Sequence, residues 1–441
     1  MTTSEEVIPQ QNSKKWGPVR LLEGVRPVNM TVYVLGAMFA MLFSTFVPQA
    51  QPFILTEILH IPASEQGVLS GTLGLAATLV GLFMPSVWGT LSDKVGRRLV
   101  YAAGLLVSAL GIALSPLAGT VVLLFACRMI FSAGSNGSTT MSATLLGDYV
   151  DNRDRGKAFG MVSMSSGVGA LLTVFIFLKL PSIFVNAGLD PQKAALYTYW
   201  VVTVIAILAM VIVYKGLAGK TRTQAEQKRG IFQIVREALT AAKANPCISL
   251  AYGVTLAATG AITVVGTFFT LWITTYGTTS GGLTSSEALA RAGMIMGITQ
   301  MVGLIASPLF GILADKINRV LAVVLTAGLT TLVYALTLFI SDPLSGGMIV
   351  LGLFIGLVQI SGVITGGALV AQHAPDAVRG SVMGFYGFCA AVGTMLASVL
   401  GGYLFDHWLP QAPFVLCAVL SLCVVIWGLI VYFKSYKADQ K

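Results

Sequence analysis

Twelve long apolar runs alternate along the chain with short polar connections. They fall at 30–54, 65–87, 99–117, 120–145, 157–180, 194–214, 247–276, 288–310, 320–340, 347–371, 378–402 and 412–433. Each reaches roughly the 20 residues that a helix needs to cross a bilayer. The strict alternation of a membrane β-barrel, apolar outward and polar inward, is absent. The pattern therefore predicts an all-α membrane protein with twelve transmembrane helices. The longest polar connection, 215–246, divides the runs six and six. Within it Ile231, Ile234, Val235, Ala238, Leu239 and Ala242 share one helical face, and Gln233, Arg236, Glu237, Thr240 and Lys243 take the other. A helix along the membrane surface is expected there. The expected division is a tail over 1–29, a six-helix bundle over 30–214, the connection over 215–246, a second bundle over 247–433 and a tail over 434–441.

The polar connections repeat. GTLSDKVGRRL, from Gly89 to Leu99, recurs as GILADKINRVL, from Gly311 to Leu321. This carries Asp93, Lys94 and Arg97 onto Asp315, Lys316 and Arg319 at an offset of 222. Arg155-Gly156, Gly160 and Gly169 recur as Arg379-Gly380, Gly384 and Gly393 at an offset of 224. A period near half the chain marks two homologous halves, here two pseudo-symmetric six-helix bundles. Transporters that bind solute between repeats are built this way.

Composition agrees with this reading and narrows it. The 441 residues are 55% hydrophobic and only 10% charged, against about 25% charged in soluble domains. The net charge of +9 does not call for a nucleic-acid partner, because 23 of the 27 Lys and Arg lie in segments assigned to one side of the membrane. That bias places both termini in the cytoplasm, and the short loops suggest a bacterial inner membrane. The five cysteines (Cys127, Cys247, Cys389, Cys417 and Cys423) lie in or at the end of apolar runs. They read as small core residues rather than disulfides or metal ligands. The expected tail over 1–29 lacks the apolar region of a signal peptide, so the first helix serves as the insertion signal. Three histidines, none paired with an acid inside a run, argue against an enzyme. No Gly-rich phosphate loop ending in Gly-Lys-Ser/Thr is present, so ATP does not drive the protein directly. The expectation is a monomer in the lipid bilayer that uses no cofactor or metal and handles a small-molecule substrate, with protons as the candidate coupling ion.

Several residues stand out for chemistry. In the repeated islands Gly89, Asp93, Arg97 and Arg98, with Asp315 and Arg319, form candidate gating clasps: a carboxylate can pair with nearby cations or sit at a helix N-terminus. Such a contact can hold two bundles in one state and release them in another. Arg128 lies about eight residues inside the fourth run, and a cation near the centre of a membrane helix costs about 2.5–3.5 kcal/mol. Ser132, Ser135 and Thr139 continue its stripe. Either this face lines a polar cavity, or Arg128 snorkels to the outer headgroups. Gly134 and Gly137 permit close helix packing. The first run carries Pro48-Gln49-Ala50-Gln51-Pro52, whose prolines free backbone carbonyls and whose amides can bind either those or a solute. Gln300 and Gln359 each place an amide near mid-membrane, as a cavity between halves would use. Thr255, Thr259, Thr263 and Thr267 repeat every four residues and read as glue between helices. The candidate substrate-binding set is thus Arg128, Ser132, Ser135, Gln49, Gln300 and Gln359. No acid lies in the middle of a run: Glu57 and Glu287 are near outer ends, Asp148 is at an inner rim and Asp406 follows the eleventh run. His373 stands at the inner end of the tenth run; histidine is the side chain whose charge can change near neutral pH, but a lone one at a helix end is more often incidental.

The stretch Gly89, Asp93, Lys94, Gly96, Arg97 and Arg98 resembles the loop between helices 2 and 3 of the major facilitator superfamily, G-x-x-x-D-[KR]-x-G-R-[KR]. The second copy has Asn318 for the expected glycine and Val320 for the last cation. The run from Arg128 to Gly137, and Asp148 with Arg155-Gly156 and Gly160, resemble motifs of the 12-helix drug:proton antiporters of that family. The fifth run lacks the Gly-Pro those antiporters carry. The resemblance implies that Asp93 latches onto the start of helix 11, near Asp376 to Gly380, and that Arg97 pairs with Asp148. At the 224 offset Gln372 replaces Asp148, so the second clasp should be weaker. It further implies alternating-access transport, as proton-coupled efflux of a drug or metabolite. The alternative is a small organic anion held by Arg128, an unpaired cation in low dielectric.

Overall fold

The structure, a computed structural model, describes residues 15–151, 153–219 and 231–439. Residues 1–14 of the expected tail, 220–230 of the central connection and 440–441 at the end lie outside this description. Twelve helical spans among the described residues are long and apolar enough to cross a membrane. The first half holds α1 (Pro27–Glu57), α2 (Gln66–Val95), α3 (Arg97–Leu114), α4 (Val121–Tyr149), α5 (Arg155–Phe175), the short α6 (Leu180–Asn186) and α7 (Pro191–Gly216). In the connection, α8 (Ile231–Ala244) is the helix that the apolar stripe predicts. The second half holds α9 (Pro246–Val264), α10 (Thr270–Thr279), α11 (Ser285–Lys316), α12 (Arg319–Ala335), α13 (Gly346–Val358), α14 (Ser361–His373), α15 (Arg379–His407) and α16 (Ala412–Asp439). We call the face at which α1 begins the termini side and the opposite face the far side.

The helices end where the backbone requires it. α2 does not stop at the repeated island: it runs through Gly89 and Asp93 to Val95. The expected loop shrinks to Gly96, at φ +95° and ψ 150°, a region open in practice only to glycine. In the second copy Asn318 occupies this place at φ −54° and accepts from the Val320 and Leu321 N–H groups as the cap of α12. The departure from glycine therefore goes with a different, ordinary turn. Among the described residues of the second half, two spans are interrupted. A π-turn, Val265–Phe269, joins α9 to α10, and α13 breaks from α14 at Gln359 and Ile360.

Packing reproduces the duplication. α1 lies on α5 as α9 lies on α15; α3 lies on α7 as α12 lies on α16. The repeated glycines explain this symmetry. A Cβ on Gly169 would overlap the carbonyl oxygen of Met38, and a Cβ on Gly393 would overlap that of Leu256. Each glycine lets the fifth helix of its half touch the backbone of the first, the usual means of association where lipid removes any hydrophobic drive. Hydroxyls reinforce the contact. Thr173 donates to Leu42 O at 2.8 Å, and Thr259 to Ala390 O at 2.8 Å. The threonine stripe of α9 is thus helix glue, at least at Thr259. In the first half Gly134 meets Gly104 and Ser108 of α3, and Gly137 meets Trp88 of α2. Phe83, Val122, Ile305 and Phe339 point outward and exposed, as helix faces bathed in lipid do.

On the termini side, residues 15–26 fold over the first half. A two-residue hairpin, Lys15–Trp16 with Val19–Arg20, precedes a bridge from Leu21 to Val150. Asp154 accepts from the Arg20 N–H at 3.0 Å and from Lys157 Nζ at 2.9 Å. These bonds hold its carboxyl below the usual carboxylate range, Lys157 contributing most. The contact is therefore present at neutral pH and lost as pH falls through that lowered value.

Replacing Gly169 or Gly393 with alanine overpacks a backbone contact and should cost about 1–3 kcal/mol. The expected result is a lower thermal unfolding midpoint in detergent for both. Gly160→Ala, inside α5 at a position with no neighbour within 4 Å, should not lower the midpoint.

Candidate functional site

Between the halves lies a cavity of about 590 Å³, within the size range of solute sites. Its first-half wall comes from α1 (Tyr33, Met41), α4 (Thr139, Ser142) and α5 (Phe159, Ser163, Ser166). The second half supplies Gln300 and Leu304 from α11, with Gln359 and Ile360 at the break between α13 and α14. Breaking a helix at mid-membrane frees backbone groups, a means by which transporters build solute sites. Tyr33 is fixed by donating from its hydroxyl to Ser142 O at 2.7 Å. Among the described residues the lining holds hydroxyls, two amides and apolar surface, and no ionisable side chain other than the phenol of Tyr33.

The cavity is closed toward the far side. There α2 meets α15, where a Cβ on Gly71 would overlap Ser398 O and one on Gly402 would reach Gly67 O at 2.5 Å. α11 meets the end of α5 in the same manner, with Gly293 against Val174 O and Gly297 against Phe175. The offset of 222 carries Gly71 onto Gly293, and that of 224 carries Val174 onto Ser398, so the two seams are copies. Toward the termini side the same helices part. Gly89, Gly311, Gly380 and Gly387 meet nothing within 4 Å. A cleft between α2 and α15, lined by Thr78, Gly81 and Gly387, opens where the far-side contact ends. This is a conformation closed on the far side and parted on the termini side.

The expected clasp residues sit at the parted rim. Arg97 Nη1 lies 2.8 Å from Asp93 Oδ1, and Arg97 Nε lies 3.3 Å from Asp148 Oδ2. Arg97 Nη1 also donates to Ser92 Oγ. One guanidinium thus ties the end of α2 to the end of α4 inside the first half. Asp93 is half exposed and engages Arg97 rather than α15. Arg98 instead lies over the Tyr214 ring at 4.5 Å. In the second half Arg319 donates to Ala368 O at 2.8 Å, where a carboxylate stands in the first. Asp315 and Gln372 are exposed.

The expected binding set divides. Gln300 and Gln359 line the cavity; Arg128, Ser132, Ser135 and Gln49 do not. Ser132 donates to Ala77 O of α2 at 2.7 Å, and Ser135 pairs with Ser44 of α1 at 2.8 Å. The stripe below Arg128 thus serves helix packing until Thr139. Arg128 itself enters a crevice inside the first half, beside Gln51, Leu73, Ser115 and Tyr199. Its Nε and Nη1 are buried without a hydrogen-bond partner, and its guanidinium stands 5.8 Å from the Phe131 ring. Gln51 donates to Ser70 at 2.9 Å, while Gln49 Oε1 is buried and unpartnered. The wall residues Tyr33, Ser163 and Ser166 escaped sequence reasoning. The signal for Ser163 and Ser166 was hydroxyls recurring on one face of α5, at a spacing that packing also uses; Tyr33, alone near the start of α1, gave none.

The profile of the Major Facilitator Superfamily matches residues 32–389 and 344–441. The chain is 28% identical over 414 residues to the magnetosome protein MamH of Paramagnetospirillum magneticum, covering 90% of this chain and 91% of that one. It is 22% identical to the multidrug resistance protein MdtG of Proteus mirabilis, covering 88% and 92%. Among solved structures, the nucleoside transporter NupG superposes with a TM-score of 0.74 at 12% identity, covering 92% of this chain and all of that one.

The Arg97–Asp148 pair is largely out of solvent. A double-mutant cycle of Arg97→Gln and Asp148→Asn should give a coupling of about 1–2 kcal/mol in unfolding free energy. The matching cycle of Arg319→Gln and Gln372→Ala should give a coupling near zero.

Proposed function

This chain belongs to the Major Facilitator Superfamily, and we propose on that footing that it exports a small uncharged, amphipathic organic solute by alternating access. It is a transporter of small solutes. The observation that carries the finer reading is the wall of the central cavity. Both halves contribute to it, hydroxyls and the amides Gln300 and Gln359 are set in apolar surface, and no lining group is charged at neutral pH. A charged solute would leave water there without a partner, at a cost of several kcal/mol. A neutral solute with apolar body and hydrogen-bonding groups matches both parts of the wall. The anion reading loses its support, because Arg128 stands in a separate crevice rather than in the cavity.

Export and drive rest on other grounds. The excess of Lys and Arg at the termini side supports a cytoplasmic placement of that face. The cavity would then take up solute from the cytoplasm in this conformation. Similarity to MdtG, named as a multidrug resistance protein, supports efflux, and the resemblance of Arg128–Gly137 to the motif of drug:proton antiporters supports proton coupling. Since no acid lines the cavity, coupling to protons would run through acids placed outside it, such as Asp148 near the end of α4 and Asp406 near the end of α15.

Counterflow in proteoliposomes tests this reading, with a panel of neutral, anionic and cationic solutes of similar size and with or without a pH gradient. Neutral amphipathic solutes should exchange and charged ones should not. Gln300→Leu and Gln359→Leu should each raise KM about 5- to 10-fold. Arg128→Lys should leave KM unchanged. Exchange of anions that disappears with Arg128→Lys would restore the anion clamp and remove this proposal.

A further inference from the structure

We propose that Asp406 is a gating residue: its carboxylate caps helix α2 from the opposite half of the molecule and holds the far side shut. The inference rests on the alternating-access reading and adds to it the group that fastens one gate.

The far-side end of α2 lacks a cap of its own. Its N-cap residue, Glu65, makes no side-chain hydrogen bond to the first turn. The first N–H groups of a helix have no partner within the helix and carry its positive end. Here the missing acceptor arrives from the other half of the chain. Asp406 Oδ1 accepts from the Gly67 N–H at 2.8 Å, and Asp406 Oδ2 accepts from the Val68 N–H at 2.6 Å. Both carboxylate oxygens are engaged, each in a charge-assisted bond. The side chain is short, so the bond forms only while the backbones touch. That contact is the glycine seam, with Gly67 and Gly71 of α2 against Ser398 and Gly402 of α15. A side chain at residue 67 would itself strike the carboxylate. Separating the two helices at this end must strip Asp406 from both N–H groups at once.

The arrangement is specific to one seam. At the 224 offset the counterpart of Asp406 is Ser182, whose hydroxyl donates within its own turn to Lys179 O at 2.9 Å. The seam between α5 and α11 therefore closes on packing, and the seam between α2 and α15 on packing plus a charge. The two helices of the fastened seam run antiparallel. At their other ends they are parted: Asp93 turns to Arg97, and Ser381 in the first turn of α15 donates to Glu237 of α8 at 2.6 Å. The bond through Asp406 thus belongs to the conformation closed on the far side.

The test uses the full chain in sealed proteoliposomes, with its five native cysteines replaced, Ser398→Cys placed in the seam and the reagent present only on the side that the far face meets. The rate of modification by a membrane-impermeant maleimide reports opening of the far side. Asp406→Asn, which keeps shape but loses charge, should speed modification about 3- to 10-fold. Asp406→Glu should stay close to the parent rate. Asp190→Asn is the control for lost charge on the same face, since Asp190 caps only its own helix, α7; it should not change the rate. A thermal midpoint for each variant identifies any that fail to fold, and a charge-retaining Asp406→Glu that modifies at the parent rate keeps the comparison meaningful. If Asp406→Asn is modified no faster than the parent or the Asp190→Asn control, the proposal is overturned. The measurement needs no solute, so that outcome would leave the transport reading to its own assay.

Discussion

Close approach of backbone to backbone, at places where no Cβ fits, is the constraint on which this architecture depends. Inside a bilayer, apolar side chains gain nothing by leaving lipid for each other, so helices associate through tight contact and polar bonds. Two pairs of glycines at matched positions show it best. Gly169 and Gly393 fasten the first and fifth helices within each half, and Gly71 and Gly293 fasten one half to the other on the far side. The first pair makes each half a body. The second makes a hinge line, because its contacts sit at one end of the helices only. The cavity exists because the helices that touch at that end separate toward the other.

The two halves preserve their shape better than their chemistry. Packing partners repeat from one half to the other, yet polar groups diverge at matched positions. Asp148 faces Arg97 where Gln372 stands exposed and Arg319 turns to a carbonyl. Gly96 takes a backbone shape that Asn318 does not need. Asp406 bridges the halves where Ser182 bonds locally. Backbone contacts are constrained by geometry that the whole bundle shares. A polar pair answers only to its own neighbours, so the two halves can differ there while their outlines agree.

Much of the fold was legible in the sequence, and for a physical reason. A helix that must bury its backbone polar groups in hydrocarbon needs one long apolar run, so runs report spans directly. Charged islands and glycines repeated at one period reported the duplication. Gln300 and Gln359 were legible because an amide in mid-membrane is costly unless it meets a partner or a cavity. Arg128 and its serines drew attention for the same reason, but helical phase does not say which neighbour a face meets. Ser132 and Ser135 meet α2 and α1. The length of α2 was understated because Ser92, Asp93 and Lys94 read as loop residues while forming its last turn. Asp406 was least legible. Its partners are backbone N–H groups, which have no letter in a sequence, and they lie far away along the chain, at Gly67 and Val68.

The outward faces carry a different kind of consequence. Residues such as Phe83, Val122, Ile305 and Phe339 stand exposed, with no enclosing protein wall to fix their shape; lipid accepts any apolar group of similar bulk. Substitution there is nearly free, whereas the handful of glycines at backbone crossings admits almost none. A chain built on this plan can drift through most of its alphabet while its outline stands still. That is how a shape match with a TM-score of 0.74 coexists with 12% identity.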